Sequence, residues 1–457
     1  MIIPAPQPLD PGGPREDFKP MPPELWNPPS GLLSDFVHYI NKTANMPQPE
    51  LALGNAAAAI GALVGGVVRT PGDLATNVYN VGIGRSGSGK DHSRKCTARL
   101  VDLAGLDTAA PAPDSPDYDS DNAKEAFYRE MLGGRSMTSD AGLLNRLTRE
   151  PATLYLLDEC GHFLGRSTSN GAQNHEKAIV PELMMLYTSA SKKYKGKDYA
   201  DKPTPVVYKP CLSLYGTTTP KQFWGSLNAD QLEDGFIGRC CIYPSSFVDP
   251  DWRAVDNKEP SSELVNRFSD WGKLGRQNGI ELPMPPGTGN LDAIRGTIRV
   301  TTTPEAAQCL SDWRYEFKSN KRHLFASKDE LYVLWTRSYE IAEKLATIAA
   351  LDRIPRTHDG IRIEECTADW ACKLANWLTL HLMKCVKHIP GSQAEKDANR
   401  VLEVVQEGGN GISKSDLTRK TQRMGKKRRG DAISDLIESR RIKAIPDGGG
   451  TRYVPMD

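Results

Sequence analysis

Two groups of residues have types and spacing that could do chemistry together: a lysine that closes a run of glycines and serines, and an Asp-Glu pair that ends an apolar run further along. Gly84, Ser86, Gly87, Ser88, Gly89, Lys90, Asp91 and His92 stand between the apolar segment Asn77 to Ile83 and the segment Arg94 to Leu103, which can be helical. Glycines so spaced let a backbone curl until successive N–H groups face one anion. The following helix N-terminus adds its dipole, and a lysine ammonium neutralises charge on β- and γ-phosphates. The usual pattern ends in Ser or Thr, whose hydroxyl ligates magnesium. Asp91 stands there instead, so either its carboxylate serves as the metal ligand or Ser93 reaches round. Thr153 to Leu157 runs straight into Asp158 and Glu159; one carboxylate of such a pair can hold Mg2+ while the next orients an attacking water. ATP and Mg2+ are the expected cofactors.

A third apolar run, Leu212 to Tyr215, leads into Gly216, Thr217, Thr218, Thr219, Pro220, Lys221 and Gln222, where a hydroxyl (Thr217) or an amide (Gln222) could sense a γ-phosphate. Gly235 to Arg239 then precedes a fourth run, Cys240 to Tyr243. A guanidinium from an adjoining subunit can stabilise transition-state charge in a way an ammonium cannot; a structural ion pair is the plain alternative for Arg239. Lys192, Lys193, Lys195 and Lys197 surround Tyr194, a mixture suited to a single strand through phosphate contact and stacking, or simply to a solvated face.

Short apolar runs alternating with helical segments from about 75 to 250 predict an α/β core with a parallel sheet flanked by helices, where ligands gather at the carboxyl ends of strands. Before it, residues 1–30 are rich in Pro and read as an extended arm. Residues 31–74 read as a helical region in which Ser30 caps a helix over Leu32 to Ile40. Residues 251–390 read as a strand and helical extension, with Pro283 to Gly289 as a linker. Residues 394–457 read as a separate small domain. In that domain three helices (Glu395 to Glu407, Ser413 to Thr421, Asp431 to Arg440) and a Gly-tipped hairpin (Lys443 to Val454) predict a winged helix-turn-helix. Lys414, Arg419, Lys420, Arg423, Lys426, Lys427, Arg428 and Arg429 crowd before its third helix and suit the phosphates of duplex DNA.

With 457 residues and a net charge of +1, the chain is too long for one small domain, and any nucleic-acid surface on it must be local. Nine cysteines without C-x-x-C pairs, and a start lacking the regions of a signal peptide, predict a reducing, cytoplasmic setting. Leu51 to Val68 is uncharged but built mainly from Ala and Gly, so a close-packed buried helix is expected rather than a membrane span. His381, Cys385 and His388 share a helix face at metal-ligand spacing, yet lack a second cluster, so ordinary packing is expected.

The loop Gly84 to Asp91, Leu156 to Glu159, Pro210 to Pro220, Gly235 to Arg239 and the helical Arg337 to Leu351 together resemble the RecA-like ATPase part of phage- and plasmid-encoded primase/helicase proteins. The resemblance runs over about residues 30 to 390. It implies a RecA-like P-loop core and an ATP-dependent DNA helicase or translocase. Such a protein works as a homo-oligomeric ring, a hexamer, in replication of a mobile element in the host cytoplasm, on single-stranded and forked DNA. Lys90 would bind phosphates, Asp158 the metal, Glu159 activate water, Thr217 or Gln222 sense, and Arg239 act across a subunit boundary. A primase half has no room in this chain and would be a separate partner; duplex origin DNA would be held by the winged helix. Two rivals stay open: a DNA-binding ATPase switch, initiator or loader, without unwinding, and a non-enzymatic binder with a site degenerate at Asp91.

Overall fold

Parallel strands covered on both faces have to be apolar throughout, and the four central strands of this protein are buried almost without exception. The computed structural model describes residues 20–107, 130–168, 173–190, 193–198, 204–227, 235–245, 252–276, 297–316, 334–355, 360–386, 393–409, 411–422, 424–447 and 450–456. The strands of the central sheet and of the hairpin beside it are, in chain order, β1 (Tyr79–Ile83), β2 (Ala152–Leu157), the pair β3 (Lys193–Lys195) and β4 (Val206–Tyr208), then β5 (Cys211–Thr218) and β6 (Cys240–Pro244). The longer helices of this part of the chain are α1 (Leu32–Thr43), α2 (Pro49–Leu63), α3 (His92–Leu103), α4 (Asp140–Arg149), α5 (Cys160–Thr168), α6 (Ile179–Ser189), α7 (Pro220–Ser226), α8 (Ser262–Arg276), α9 (Pro304–Glu316), α10 (Ser338–Ala349) and α11 (Glu365–Val386).

The protein is α/β. Its sheet runs β2-β5-β1-β6, every neighbour parallel, flanked by helices. The register pairs Gly82 with Thr217 and Leu157 with Gly216, so the carboxyl ends of β1, β2 and β5 come out at one level. β5 is longer than its apolar run: it continues through Gly216, Thr217 and Thr218 because β1 bonds it on one side while β2 bonds Gly216 on the other. Threonine's branched Cβ suits this extended backbone.

Every residue of α2 is buried, which explains why it is built from Ala and Gly. A Cβ on Gly54 would lie 2.7 Å from the Tyr243 ring of β6, and one on Gly61 would lie 2.4 Å from Thr76 O, so only small residues let this helix lie so close to the sheet. No helix among the described residues is long and apolar enough to cross a membrane.

Two expectations at the amino-terminal end change. Residues 1–19 of the Pro-rich arm lie outside the described residues, but residues 20–30 include a short helix, Pro23–Trp26. Its Leu25 is buried and accepts a hydrogen bond from the Trp370 indole at 3.0 Å; proline at a helix's first position is tolerated, and Leu25 supplies the apolar anchor. Helix α1 is capped by Gly31, not Ser30. Gly31 has φ 151°, and a Cβ there would meet Leu351 O at 2.9 Å. The segments 31–74 and 251–387 belong with the sheet in one compact unit. Pro283 to Gly289 lies outside the described residues.

The C-terminal unit stands on its own core of Val401, Val404, Val405, Ile412, Leu417, Ala432, Leu436, Ile442 and Tyr453. It contains α12 (Gln393–Glu407), β7 (Ile412–Ser413), α13 (Lys414–Lys420), α14 (Lys426–Glu438), β8 (Ile442–Asp447) and β9 (Gly450–Pro455), with an antiparallel sheet in the order β7-β9-β8. Ser413 caps α13, its Oγ accepting from Asp416 N at 3.1 Å. α14 begins at Lys426 rather than Asp431, because Gly430 costs a helix only about 1 kcal/mol and does not break this one. The basic run therefore forms its first turn.

Candidate nucleotide site

The loop after β1 owes its shape to two glycines. Gly87 and Gly89 have φ 77° and 80°, left-handed values that side chains resist. A Cβ on Gly89 would also crowd Met46 O at 3.1 Å. Gly84 N donates to Thr218 O at 3.0 Å, tying the loop's first residue to β5. Ser88 N and Oγ both turn back to Arg85 O, at 3.3 and 2.8 Å, while the Gln48 amide donates to Ser88 O at 2.7 Å and accepts from Ser245 Oγ. Among the described residues the N–H groups of Gly87, Gly89, Lys90 and Asp91 donate to no carbonyl. Ser86 is exposed. His92 faces away from the loop: its N–H is taken by Gly89 O, and Nε2 lies 3.0 Å from Thr43 Oγ1 and 3.2 Å from Cys96 Sγ. Burial there, helped by nearby Lys258, lowers its pKa.

One strand, β5, separates β1 from β2, so Lys90 and Glu159 start two strand spacings apart, roughly 10 Å. Their long side chains span the gap, and Lys90 Nζ lies 2.8 Å from Glu159 Oε1. Glu159 has φ 45°, a strained value for a glutamate and a mark of functional sites. Its N–H is held by Asp158 Oδ1 at 3.0 Å, and its Oε2 is buried with no hydrogen-bond partner among the described residues. Gly216 allows the chain to turn here, since a Cβ on it would meet Cys160 Cβ at 2.5 Å. Burial pushes the Cys160 thiol up to about 12, so the sulfur beside Glu159 stays protonated and is no nucleophile.

Asp91 and Asp158 converge on a single cation. Arg94 Nη2 lies 3.0 Å from Asp91 Oδ1 and 2.8 Å from Asp158 Oδ1. Two carboxylates drawn to one positive centre, next to a buried lysine, form an oxygen donor set that fits magnesium, which is typically held by one or two carboxylates plus substrate phosphates. Among the described residues no group of three or more His, Cys, Asp and Glu side chains could hold a metal ion by itself. Ser93 is turned inward, its Oγ 3.3 Å from Tyr215 OH and 3.5 Å from Lys90 O. Of the two replacements for the usual hydroxyl, only Asp91 stands beside Asp158.

Thr217 is fully buried and its Oγ1 has no hydrogen-bond partner among the described residues. Gln222, on α7, accepts from Thr218 Oγ1 at 3.2 Å. Arg239 lies elsewhere. It precedes β6, whose first residue pairs with Tyr79, so it sits at the amino end of the sheet, one strand length, roughly 16 Å, from the loop end. Its Nη1 donates to Gly235 O at 2.7 Å and its guanidinium lies 5.9 Å from the Tyr187 ring centroid. Burial, then Arg337, lowers its pKa. Lys344, also buried at this end, donates to Asn77 O at 2.9 Å and pairs with Glu340 at 3.2 Å.

Lys193 and Lys195 are exposed on the β3–β4 hairpin, and Lys192 lies outside the described residues. Tyr194, the aromatic expected to stack, points inward instead: its hydroxyl donates to Glu182 Oε1 at 2.7 Å, and Lys197 pairs with Asp140 at 2.5 Å. In the C-terminal unit Lys414, Lys426 and Lys427 are exposed. Arg419 pairs with Asp416 at 2.7 Å. Arg428 grips Asp397 with two bonds of 2.6 and 2.7 Å, and Arg429 donates to Thr421 O and Met424 O at 3.1 and 3.0 Å; Arg423 lies outside the described residues. His381 stacks on Trp377, ring centroids 4.9 Å apart, while the Cys385 side chain and His388 fall outside the described residues.

Reading the sequence missed Arg94 and Gln48. Arg94 was findable as the residue one helical turn after Lys90; Gln48 had no local signal. No protein-family model and no curated protein matches the chain.

Proposed function

We propose that the chain is a magnesium-dependent ATPase whose hydrolysis drives movement on DNA: a RecA-like helicase or translocase of the phage and plasmid replication type, working as a homo-oligomeric ring, a hexamer. One observation carries this reading: Lys90, Glu159, Asp158 and Asp91 meet at one end of the parallel sheet, Lys90 and Glu159 within 2.8 Å. In this reading the backbone amides of Gly87, Gly89, Lys90 and Asp91 cradle the phosphates, and Lys90 leaves Glu159 for the β- and γ-oxygens. Freed, Glu159 accepts a proton from the attacking water. Asp158 and Asp91 would hold Mg2+, which supplies charge neutralisation on the phosphates when bound. Thr217, whose buried Oγ1 has no partner among the described residues, is the sensing hydroxyl, with Gln222 steadying the neighbouring Thr218. Arg239, at the other end of the sheet, serves an adjoining subunit in this reading.

The test is ATP hydrolysis with magnesium, with and without single-stranded DNA, in parent, Lys90→Ala and Glu159→Gln. Lys90→Ala should lose nucleotide binding; Glu159→Gln should bind ATP and lose at least about 100-fold in rate. Hydrolysis that survives in both variants refutes the site, and active hydrolysis without strand separation on any forked substrate refutes the motor. The second reading, an initiator or loader switch, is favoured by the separate C-terminal unit with exposed Lys414, Lys426 and Lys427, a winged helix suited to duplex origin DNA. Footprinting separates the two, since a switch protects a defined sequence and a motor needs none.

A further inference from the structure

The β3–β4 hairpin has two unlike faces. Lys193 is opposite Tyr208, Tyr194 opposite Val207, and Lys195 opposite Val206, and directly opposed residues of an antiparallel pair share a face. The inner face is Tyr194 and Val207: Val207 is buried, and Tyr194 is bonded to Glu182. The outer face is Lys193, Lys195, Val206 and Tyr208. Tyr208 is 65% exposed, an unusual amount for a tyrosine in a strand, and Lys193 Nζ lies 5.2 Å from its ring centroid. Among the described residues neither Lys193 nor Lys195 has a carboxylate partner. Lys197, at the hairpin's edge, is spent on Asp140.

We propose that this outer face binds single-stranded DNA, with Tyr208 stacking on a base and Lys193 and Lys195 holding the flanking phosphates. An aromatic face offers any base a platform, and two ammonium groups on the same side of the strand neutralise the backbone. Tyr194 and Lys197 position the hairpin and do not touch the strand. This inference rests on the proposed function in taking nucleic acid as the partner, and it is independent of the phosphate loop.

The experiment titrates a fluorescent twenty-nucleotide oligo-dT with the full chain over a range of salt concentrations. Tyr208→Ala should weaken binding by about 5- to 100-fold with the salt slope unchanged, and Tyr208→Phe should stay within about 2-fold of the parent because the ring is kept. Lys193→Ala with Lys195→Ala should lower the salt slope by about 1.4, at roughly 0.7 per phosphate contact. Photo-crosslinking with 5-iodouracil in the oligonucleotide should label the peptide that holds Tyr208. Tyr208→Ala binding as tightly as a parent that does bind oligo-dT overturns this inference and leaves the motor reading standing. A parent that hydrolyses ATP but binds no oligo-dT overturns both. Tighter binding of oligo-rU, or a change in assembly mass in place of a change in affinity, overturns the choice of DNA as occupant.

Discussion

Arg94 decides how the candidate site is set at rest. Its guanidinium holds Asp91 and Asp158 together, so under the proposed function magnesium entering with nucleotide would compete with it for the same two carboxylates. Arg94→Ala should therefore shift the magnesium dependence of ATP binding several-fold towards lower concentration; an unchanged midpoint in a titration of ATP affinity against magnesium means Arg94 does not compete. A comparable division runs through the basic run of the C-terminal unit. Arg428 is bonded twice to Asp397, whose side chain is only 8% exposed, so Arg428→Ala strands a buried carboxylate. It should lower the unit's stability by about 1–2 kcal/mol with little effect on duplex affinity. Lys426→Ala with Lys427→Ala should do the reverse, weakening duplex binding while leaving the denaturation midpoint in place. Equal effects of the two changes on both readouts would erase the division. Sequence showed the positive charge at these positions but not which of it the fold consumes.

At the scale of elements, α11 carries a pH response. Burial, with Lys384 nearby, pushes the His381 imidazole from 6.5 down to about 4, so the folded protein keeps it neutral where the unfolded chain protonates it. The unfolded state then binds the extra proton, and this group withdraws stability as pH falls from about 6.5 towards 4, on the order of 3 kcal/mol in full. His381→Phe keeps a ring against Trp377 and removes the titration. Its urea midpoint should gain on the parent's as pH drops through that window, and parallel midpoints for the two proteins would show that His381 contributes nothing. Elements were legible where composition forced them: apolar runs gave β1, β2, β5 and β6, and the Ala and Gly of α2 gave a close-packed helix. The end of β5 was not, because Gly216 to Thr218 read as the close of an apolar run and are extended because β1 pairs with all three and β2 with Gly216.

On the scale of the whole molecule, Arg239 and Lys90 lie at opposite ends of one sheet, so a ring would have to bring one subunit's Arg239 to another's loop. Mixing Arg239→Ala subunits with Lys90→Ala subunits should then restore part of the ATPase rate, because some interfaces regain an intact lysine and an intact arginine. Mixtures that exchange subunits by mass measurement yet stay inactive assign Arg239 to its own chain, where Gly235 O and Tyr187 already engage it. A net charge of +1 adds a constraint: DNA, under the proposed function, would have to be held by local groups such as the outer hairpin face, not by an overall field.

Local chemistry in the sequence was enough for the glycine-bearing turn after β1, the acidic strand end, the four central strands and the C-terminal helices and hairpin, since each depends on residues adjacent along the chain: glycines at a turn, branched apolar runs, a serine cap. Distance along the chain hid the rest. That Arg94 joins Asp91 to Asp158, that Gln48 ties Ser88 to Ser245, that Tyr194 turns inward while Tyr208 faces out, and that Arg239 lies away from Lys90 are consequences of strand order and register. Those are set by how the apolar faces of all the elements pack together, and no single stretch of residues encodes them.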